Sequence, residues 1–249
     1  MKIARLIMTL AFLAAFVVLL PLGCSSDDDG GGGGSQSLTA STYIPFTVGA
    51  HWEYEDSSST GIDTSTTDII GTAEMMGYES YIFVDADGEN DTFYMQNRSD
   101  GIYQIMLPSL GGLLRGMNTT QFEDTMVMKL MPATFNIGDS WTMYNMDTTY
   151  EETIYKYIMS MEILGQAQGV ESVTVPAGTF GNCLKLLSNW SMSMVVVSLT
   201  DSTDTLYSSN DESENTMWLA PNMGFIKSNS NDADSLFTSV LISYTGVAK

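Results

Sequence analysis

One histidine, two cysteines and nine basic residues are all that this chain holds of the residue types that carry much of protein chemistry. The single histidine, His51, leaves neither a Ser-His-Asp nor a Cys-His arrangement to build. No G-x-S-x-G, phosphate-cradling glycine loop or zinc-ligand spacing occurs. The chain therefore reads as a protein that is not an enzyme, with no cofactor and no metal site. Carboxylate pairs for a glycosidase abound, but an acid-rich surface supplies them by chance, so none can be singled out. Thirty acids face the nine bases, and two of the bases, Lys2 and Arg5, stand in the acid-free first 23 residues. The rest of the chain carries seven bases against thirty acids. Such a surface repels phosphate backbones, which excludes nucleic acid as a partner and argues against a polybasic dock on anionic lipid. No long amphipathic helical window is present either.

The chain opens with Lys2 and Arg5, an apolar stretch from Ile7 to Leu20, and then Pro21-Leu22-Gly23-Cys24. A charged start, a short apolar run and small residues before a cut site describe a secretory signal. Fourteen residues are too few to span a bilayer comfortably. After Cys24 comes "SSDDDGGGGGSQS", which cannot bury apolar surface and behaves as a solvated coil. The 18 residues from Ser25 to Thr42 have a root-mean-square span of about 23 Å. The expected division is a signal over 1–23, an acylated Cys24 with its tether over 24–42, and a folded domain over 43–249. Acylation of Cys24 leaves Cys183 without a disulfide partner in the chain. Cys183 sits in the apolar run "GNCLKLL" and reads as a small buried hydrophobe.

The domain carries an internal echo. "FTVGAHW" (Phe46–Trp52) and "FNIGDSW" (Phe135–Trp141) share F-x-[VI]-G-x-x-W, 89 residues apart. "GTAEMMGYES" (71–80) matches "GQAQGVES" (165–172) with two residues deleted, and Tyr94…Gly101-Ile102 matches Trp218…Gly224-Phe225. Three collinear matches point to duplication, with halves near 43–125 and 126–249.

Period-two alternation runs through both halves. Phe46, Val48, Ala50, Trp52 and Tyr54 share one parity; His51, Glu53 and Glu55 fall on the other, which makes His51 a solvated side chain on a polar strand face. Tyr155, Tyr157, Met159, Met161 and Ile163 form a second apolar stripe, and Trp190, Met192, Met194 and Val196 a third. Turns are expected at "DADGEN" (85–90), "SDG" (99–101), "VPAGTFGN" (175–182) and "SSNDESEN" (208–215), Asp-Gly being a hairpin signature because glycine accepts the positive φ needed there. "LPSLGGLLRGMNTTQF" (107–122), glycine-rich and apolar, joins the halves and has room for one short helix. The expected fold is all-β: ten to twelve antiparallel strands in a strongly curved sheet or an open, half β-barrel built from two duplicated halves.

Two constellations invite a ligand. Three Met-x-Met pairs occur, Met126/Met128, Met159/Met161 and Met192/Met194. Their spacing puts each pair on one strand face. Methionine fills irregular cores, lines adaptable apolar surfaces, and outside the cytoplasm binds Cu(I). The pairs read first as core; where an apolar ligand enters, it would meet Trp52, Trp141, Met159, Met161, Met192 and Met194. "DADGEND" has its glycine fourth rather than sixth and lacks the closing glutamate of a calcium loop, so it reads as a hairpin tip.

"VESVTVPAGTFGNCLKL" and "MWLAPNMGFIKS" resemble a widespread group of uncharacterised bacterial extracytoplasmic lipoproteins, which carry a PAGTF hairpin and a Trp-containing strand ending in Gly-hydrophobic-hydrophobic-Lys. Pro176, Ala177, Gly178, Thr179, Phe180, Trp218, Gly224 and Lys227 match. The signal resembles bacterial lipoprotein signals, with Pro21 where Leu is usual; by the Gram-negative sorting rule, Ser25 after the cysteine implies the outer membrane. The resemblance implies a curved sheet, more distantly like the half-barrels of periplasmic lipoprotein carriers, and brings no activity. The functional expectation is a membrane-anchored, non-catalytic binding or scaffold module. Its partners would be the membrane through lipid on Cys24, an apolar ligand, with 107–122 as a flap, or an outer-membrane protein. A cell-envelope hydrolase or Met-based copper binding is the alternative.

Overall fold

The structure, a computed structural model, describes residues 37–86, 91–106, 125–200, 205–232 and 235–247. The signal, Cys24, most of the tether, the 107–122 segment and the tip of "DADGEND" lie outside the described residues. Fourteen strands succeed one another: β1 (Leu38–Thr39), β2 (His51–Ser58), β3 (Gly61–Met75), β4 (Tyr78–Ala86), β5 (Asp91–Arg98), β6 (Gly101–Met106), β7 (Met126–Pro132), β8 (Thr134–Phe135), β9 (Ser140–Glu152), β10 (Tyr155–Val175), β11 (Gly178–Ser198), β12 (Thr205–Ala220), β13 (Gly224–Asp232) and β14 (Ser235–Thr245). A 3-10 turn, Ala40–Thr42, is the one helical element among the described residues.

Twelve of these strands form a single antiparallel sheet in the order β7-β6-β5-β4-β3-β2-β14-β13-β12-β11-β10-β9, and β1 pairs with β8 beside it. The fold is all-β, and the sheet is nearly closed into a barrel. Its edges β7 and β9 come together, and the Trp141 indole N–H donates to the Leu130 carbonyl across the seam at 3.0 Å. Alternation along each strand gives the sheet one inner face. Trp52, Ile69, Phe83, Leu184, Leu186, Ile226 and Leu241 meet there in one continuous core. Every described strand lies within residues 38–245, so a chain begun at residue 24 keeps all of them.

One end of the barrel is filled by its own chain. The first described strand, β1, starts at Leu38, within the stretch expected to be tether. Ala40 is fully buried and donates its N–H to the Ala133 carbonyl at 3.0 Å, while Asn222 N–H reaches the Thr42 carbonyl at 2.7 Å. Two apolar residues, Leu38 and Ala40, close the tether because a β1–β8 ladder is there to receive them. From the other side comes the PAGTF hairpin. Register shifts at Ala167/Gly169 and Glu171/Val173 bend β10 and β11, so that Ala177 N–H donates to the Leu241 carbonyl at 3.1 Å and the Phe180 ring meets Tyr244.

The two F-x-[VI]-G-x-x-W stretches fold alike. Gly49 and Gly138 both take a positive φ, 88° and 94°. Gly49 N–H donates to the Ile69 carbonyl and Ile69 N–H returns to Ala50; Gly138 N–H donates to Ala167 and Ala167 N–H returns to Asp139. A bulge adjoins each, at Ile69/Gly71 and Ala167/Gly169. This geometry sets Gly71 against Gly169, whereas the sequence match set it against Gly165.

The turn at Ser99-Asp100-Gly101 is where it was expected, between β5 and β6. "SSNDESEN" is not a turn but the middle of β12, laddered on both sides: Ser208 pairs with Val195 and Asn215 with Ser188, and Ser213–Asn215 pair onward with β13. Glu212 and Glu214 point to solvent and Ser213 and Asn215 inward, so alternation survives beneath a turn-like composition, while Asp211, of the inward parity and opposite Met192, is exposed.

Cys183 is fully buried, its thiol 3.2 Å from the Phe180 carbonyl. Burial pushes its pKa up. We expect native Cys183 to react with a water-soluble thiol reagent at least about 10³-fold more slowly than in urea, because the thiolate is scarce and access needs local opening. Labelling at equal rates in both states would show that the closed end opens freely.

Candidate functional site

The inner face has two characters, set by which rows of the sheet come into register. Across β2, β14, β13 and β12, Asp56 lies opposite Ser239, Ser239 opposite Ser228 and Ser228 opposite Met217. One step along, Phe237 faces Ser230 and Ser230 faces Asn215. Asp56, Ser228, Ser230, Ser239 and Asn215 are all buried. Beside this polar wall the Tyr54 hydroxyl donates to the Phe225 carbonyl at 3.1 Å, and Thr67 donates to Asp85. Desolvation, followed by the nearby Asp85 and Asp56 carboxylates, holds the Tyr54 phenol well above its ordinary pKa, so it stays protonated.

The adjoining wall, on β11, β10 and β9, is methionine and aromatic. Met159 lies opposite Met194, and Met161 opposite Met192, across β10 and β11; Met161 also faces Met146 of β9. Above them Tyr157 pairs with Tyr150, their rings stacked at 5.8 Å. Below them Ile163 lies between Tyr144 and Trp190, and packs with Met128 and Met143 in a small second core. Met159 and Met161 are buried; Met192 and Met194 are half-buried.

The structure therefore gathers four of the six residues expected to meet a ligand, Met159, Met161, Met192 and Met194, on two adjacent strands. It places Trp141 at the margin of that wall, over Gly165, and Trp52 elsewhere. Trp52 is deep in the closed end, 6.5 Å from Phe83 and donating its indole N–H to the Met223 carbonyl at 2.9 Å. Sequence reading put Trp190 on one stripe with Met192 and Met194 but missed Met146 as a neighbour of the quartet, and missed the polar wall. The parity Trp52/Tyr54/Asp56 carries the signal for Asp56; nothing local says that Ser228 and Ser239 lie beside it.

His51 Nδ1 is 2.8 Å from Asp68 Oδ1, with both side chains over a third exposed, so it sits on the outer face as alternation requires. Among the described residues no group of three or more His, Cys, Asp or Glu side chains gathers to hold a metal.

Gly165 shows how tightly the methionine wall meets the seam. A Cβ there would stand 2.8 Å from the Trp141 indole and 3.0 Å from Met143 Sδ. Gly165→Ala is expected to cost about 2 kcal/mol, the usual penalty of an extra carbon in a packed site. It should also weaken the Trp141–Leu130 tie, read as a shifted Trp141 indole resonance. Unchanged stability together with an unchanged resonance would show that the ring has room to move.

A family model described as DUF3108-like matches residues 115–242. Among solved structures, the chain is similar to a protein from Bacteroides fragilis NCTC 9343 described as exported and of YmcC-like fold (14% identity, 82% of this chain and 99% of that one, TM-score 0.45). It is also similar to one from Parabacteroides distasonis ATCC 8503 described as a lipoprotein (17% identity, 84% and 100%, TM-score 0.43). No curated protein matches the sequence.

Proposed function

The chain belongs to the DUF3108-like family, and from that premise we propose that it is an outer-membrane lipoprotein, anchored through lipid on Cys24, whose barrel binds an apolar ligand without catalysis. The observation that carries the reading is the methionine wall: Met146, Met159, Met161, Met192 and Met194 in cross-strand register, bordered by Tyr150 and Tyr157. Unbranched thioethers adapt to ligands of varied shape, which suits an apolar chain better than a rigid aliphatic wall would. The leader, Cys24 and the solvated tether support the anchor; several acyl chains, each buried CH₂ contributing about 0.8 kcal/mol, would hold it stably. The matched bonds and bulges at Gly49 and Gly138 support an origin by duplication, with one wall of each half since diverged.

The test uses the chain from residue 24 with Cys24→Ser, by native mass spectrometry and displacement of a fluorescent fatty acid. A bound mass or micromolar displacement is expected. Met194→Glu should weaken binding at least tenfold while Met194→Leu leaves it nearly unchanged; retained circular dichroism shows that the fold persists. A clean apo mass with no displacement would sink the ligand. Separately, radiolabelled palmitate should appear on the full-length product and vanish in Cys24→Ala; an unlabelled wild type would remove the anchor.

A further inference from the structure

The five described cations are not treated alike. On the outer face of β5 to β7, Arg98 lies over the Tyr78 and Tyr103 rings at 4.3 and 4.2 Å, and Lys129 over Tyr103 at 5.4 Å. This cluster is answered by its own polar groups: Lys129 Nζ donates to Asp100 at 2.7 Å and Arg98 Nε to Gln96 at 2.7 Å. Lys156 reaches Glu151 at 3.5 Å. A second cluster lies across β11, β12 and β13. Lys185 and Lys227 stand on either side of Trp218 in the ladder, 5.7 and 4.9 Å from its ring centroid. Among the described residues neither lysine has a carboxylate within ion-pair distance, in a chain with thirty acids to choose from. The Glu171 carboxylate nearby is engaged by the Trp218 indole N–H, which fixes the ring between the two ammonium groups.

Two like charges drawn to one ring repel each other; here the ring is buried at 7% exposure and the two lysines beside it are half-buried. An incoming anion removes that repulsion. Beside Lys185 an open groove of about 480 Å³ is bordered by Gln166, Gln168 and Glu171, at the Ala167/Gly169 bulge. Side-chain amides and a carboxylate offer donors and acceptors suited to hydroxyl groups. We infer that Lys185 and Lys227, held over Trp218, form an anion subsite, and that the adjoining groove takes the hydroxyl-rich body of an acidic sugar. This site is on the outer face of the sheet and independent of the methionine wall. It also gives a task to Lys227, which sequence resemblance singled out, and a second one to Trp218, which packs in the core cluster.

The test is titration of the 15N-labelled chain from residue 24 (Cys24→Ser) with glucuronate and glucose 6-phosphate, followed at the four tryptophan indole resonances. The Trp218 signal is expected to shift and saturate at millimolar concentration or below, while Trp52, Trp141 and Trp190 stay still. Lys185→Gln and Lys227→Gln should each weaken the effect at least tenfold with the three control signals unmoved, and glucose alone should give no shift. Absence of a Trp218 shift at about 10 mM of both probes, well above the affinity range expected of a specific site, would overturn the site. So would equal shifts in the two glutamine variants, or an equal shift with uncharged glucose.

Discussion

Trp52→Ala is expected to lower the unfolding free energy by about 4 kcal/mol, the upper part of the range for deleting a buried aromatic ring. The ring is 3% exposed and lies among residues of both halves of the chain. Its indole N–H satisfies the Met223 carbonyl at the β12–β13 turn, 171 residues away. Alanine would leave both a cavity and a buried acceptor without its donor; the second loss alone costs about 1–3 kcal/mol. Urea denaturation monitored by circular dichroism reads the effect. With a slope of about 2–3 kcal/mol/M for a domain of this size, the midpoint should fall by about 1.3–2 M. Trp52→Phe should recover roughly half of the loss, since it restores most of the ring but not the donor. Trp141 occupies the matching position of the second motif but is only half-buried, and Trp141→Ala should cost about 2 kcal/mol. Equal losses at the two tryptophans would show that the closed end is not the stronger core.

Gly101→Ala is expected to destabilise by about 3 kcal/mol or more, although it adds one carbon. Gly101 has φ 157°, and a Cβ there would stand 2.3 Å from the Met131 carbonyl oxygen and 3.3 Å from its carbon. Lys129 Cε, at 2.9 Å, can swing away; the β7 backbone cannot without breaking its ladder to β6. Strain at the dihedral and overpacking each contribute about 1–3 kcal/mol. The damage should spread along a defined route. Ala133 N–H donates to the Asp100 carbonyl and Ala40 N–H to Ala133, so displacing β7 loosens β8 and then β1. Amide exchange should therefore rise first at Ala40 and Ala133. Gly61→Ala is the control, because nothing lies within 4 Å of its added carbon; it should cost only its dihedral strain. If both variants lose the same amount, crowding against Met131 is not what requires glycine at position 101.

Particular residues show where sequence reading reached and where it stopped. Alternation from Trp52 to Tyr54 identified a half-buried strand and put His51 on the solvent side, because a pleated strand turns successive side chains to opposite faces whatever lies beyond it. Asp100-Gly101 announced a hairpin because one residue needs a conformation that glycine tolerates. Composition misled at 208–215, where Ser, Asn and Glu spell a turn but neighbouring strands supply the backbone partners. It misled again at Leu38 and Ala40, where two apolar residues look negligible until β8 is brought to them.

What the sequence alone determined is local: β-structure throughout, two echoing tryptophan motifs, which side chains share a strand face, and an acid excess that sets the surface. Tertiary structure decided which faces turn inward and which strands become neighbours. It set Met161 beside Met192 and Met146, gave Asp56 to Ser239 and Ser228, sent Trp52 into the closed end, and brought Lys185 and Lys227 to one indole. The reason is that a strand's period is written in consecutive residues, whereas sheet order and closure arise from pairings between distant segments, as of β2 with β14, that no short stretch of chain encodes.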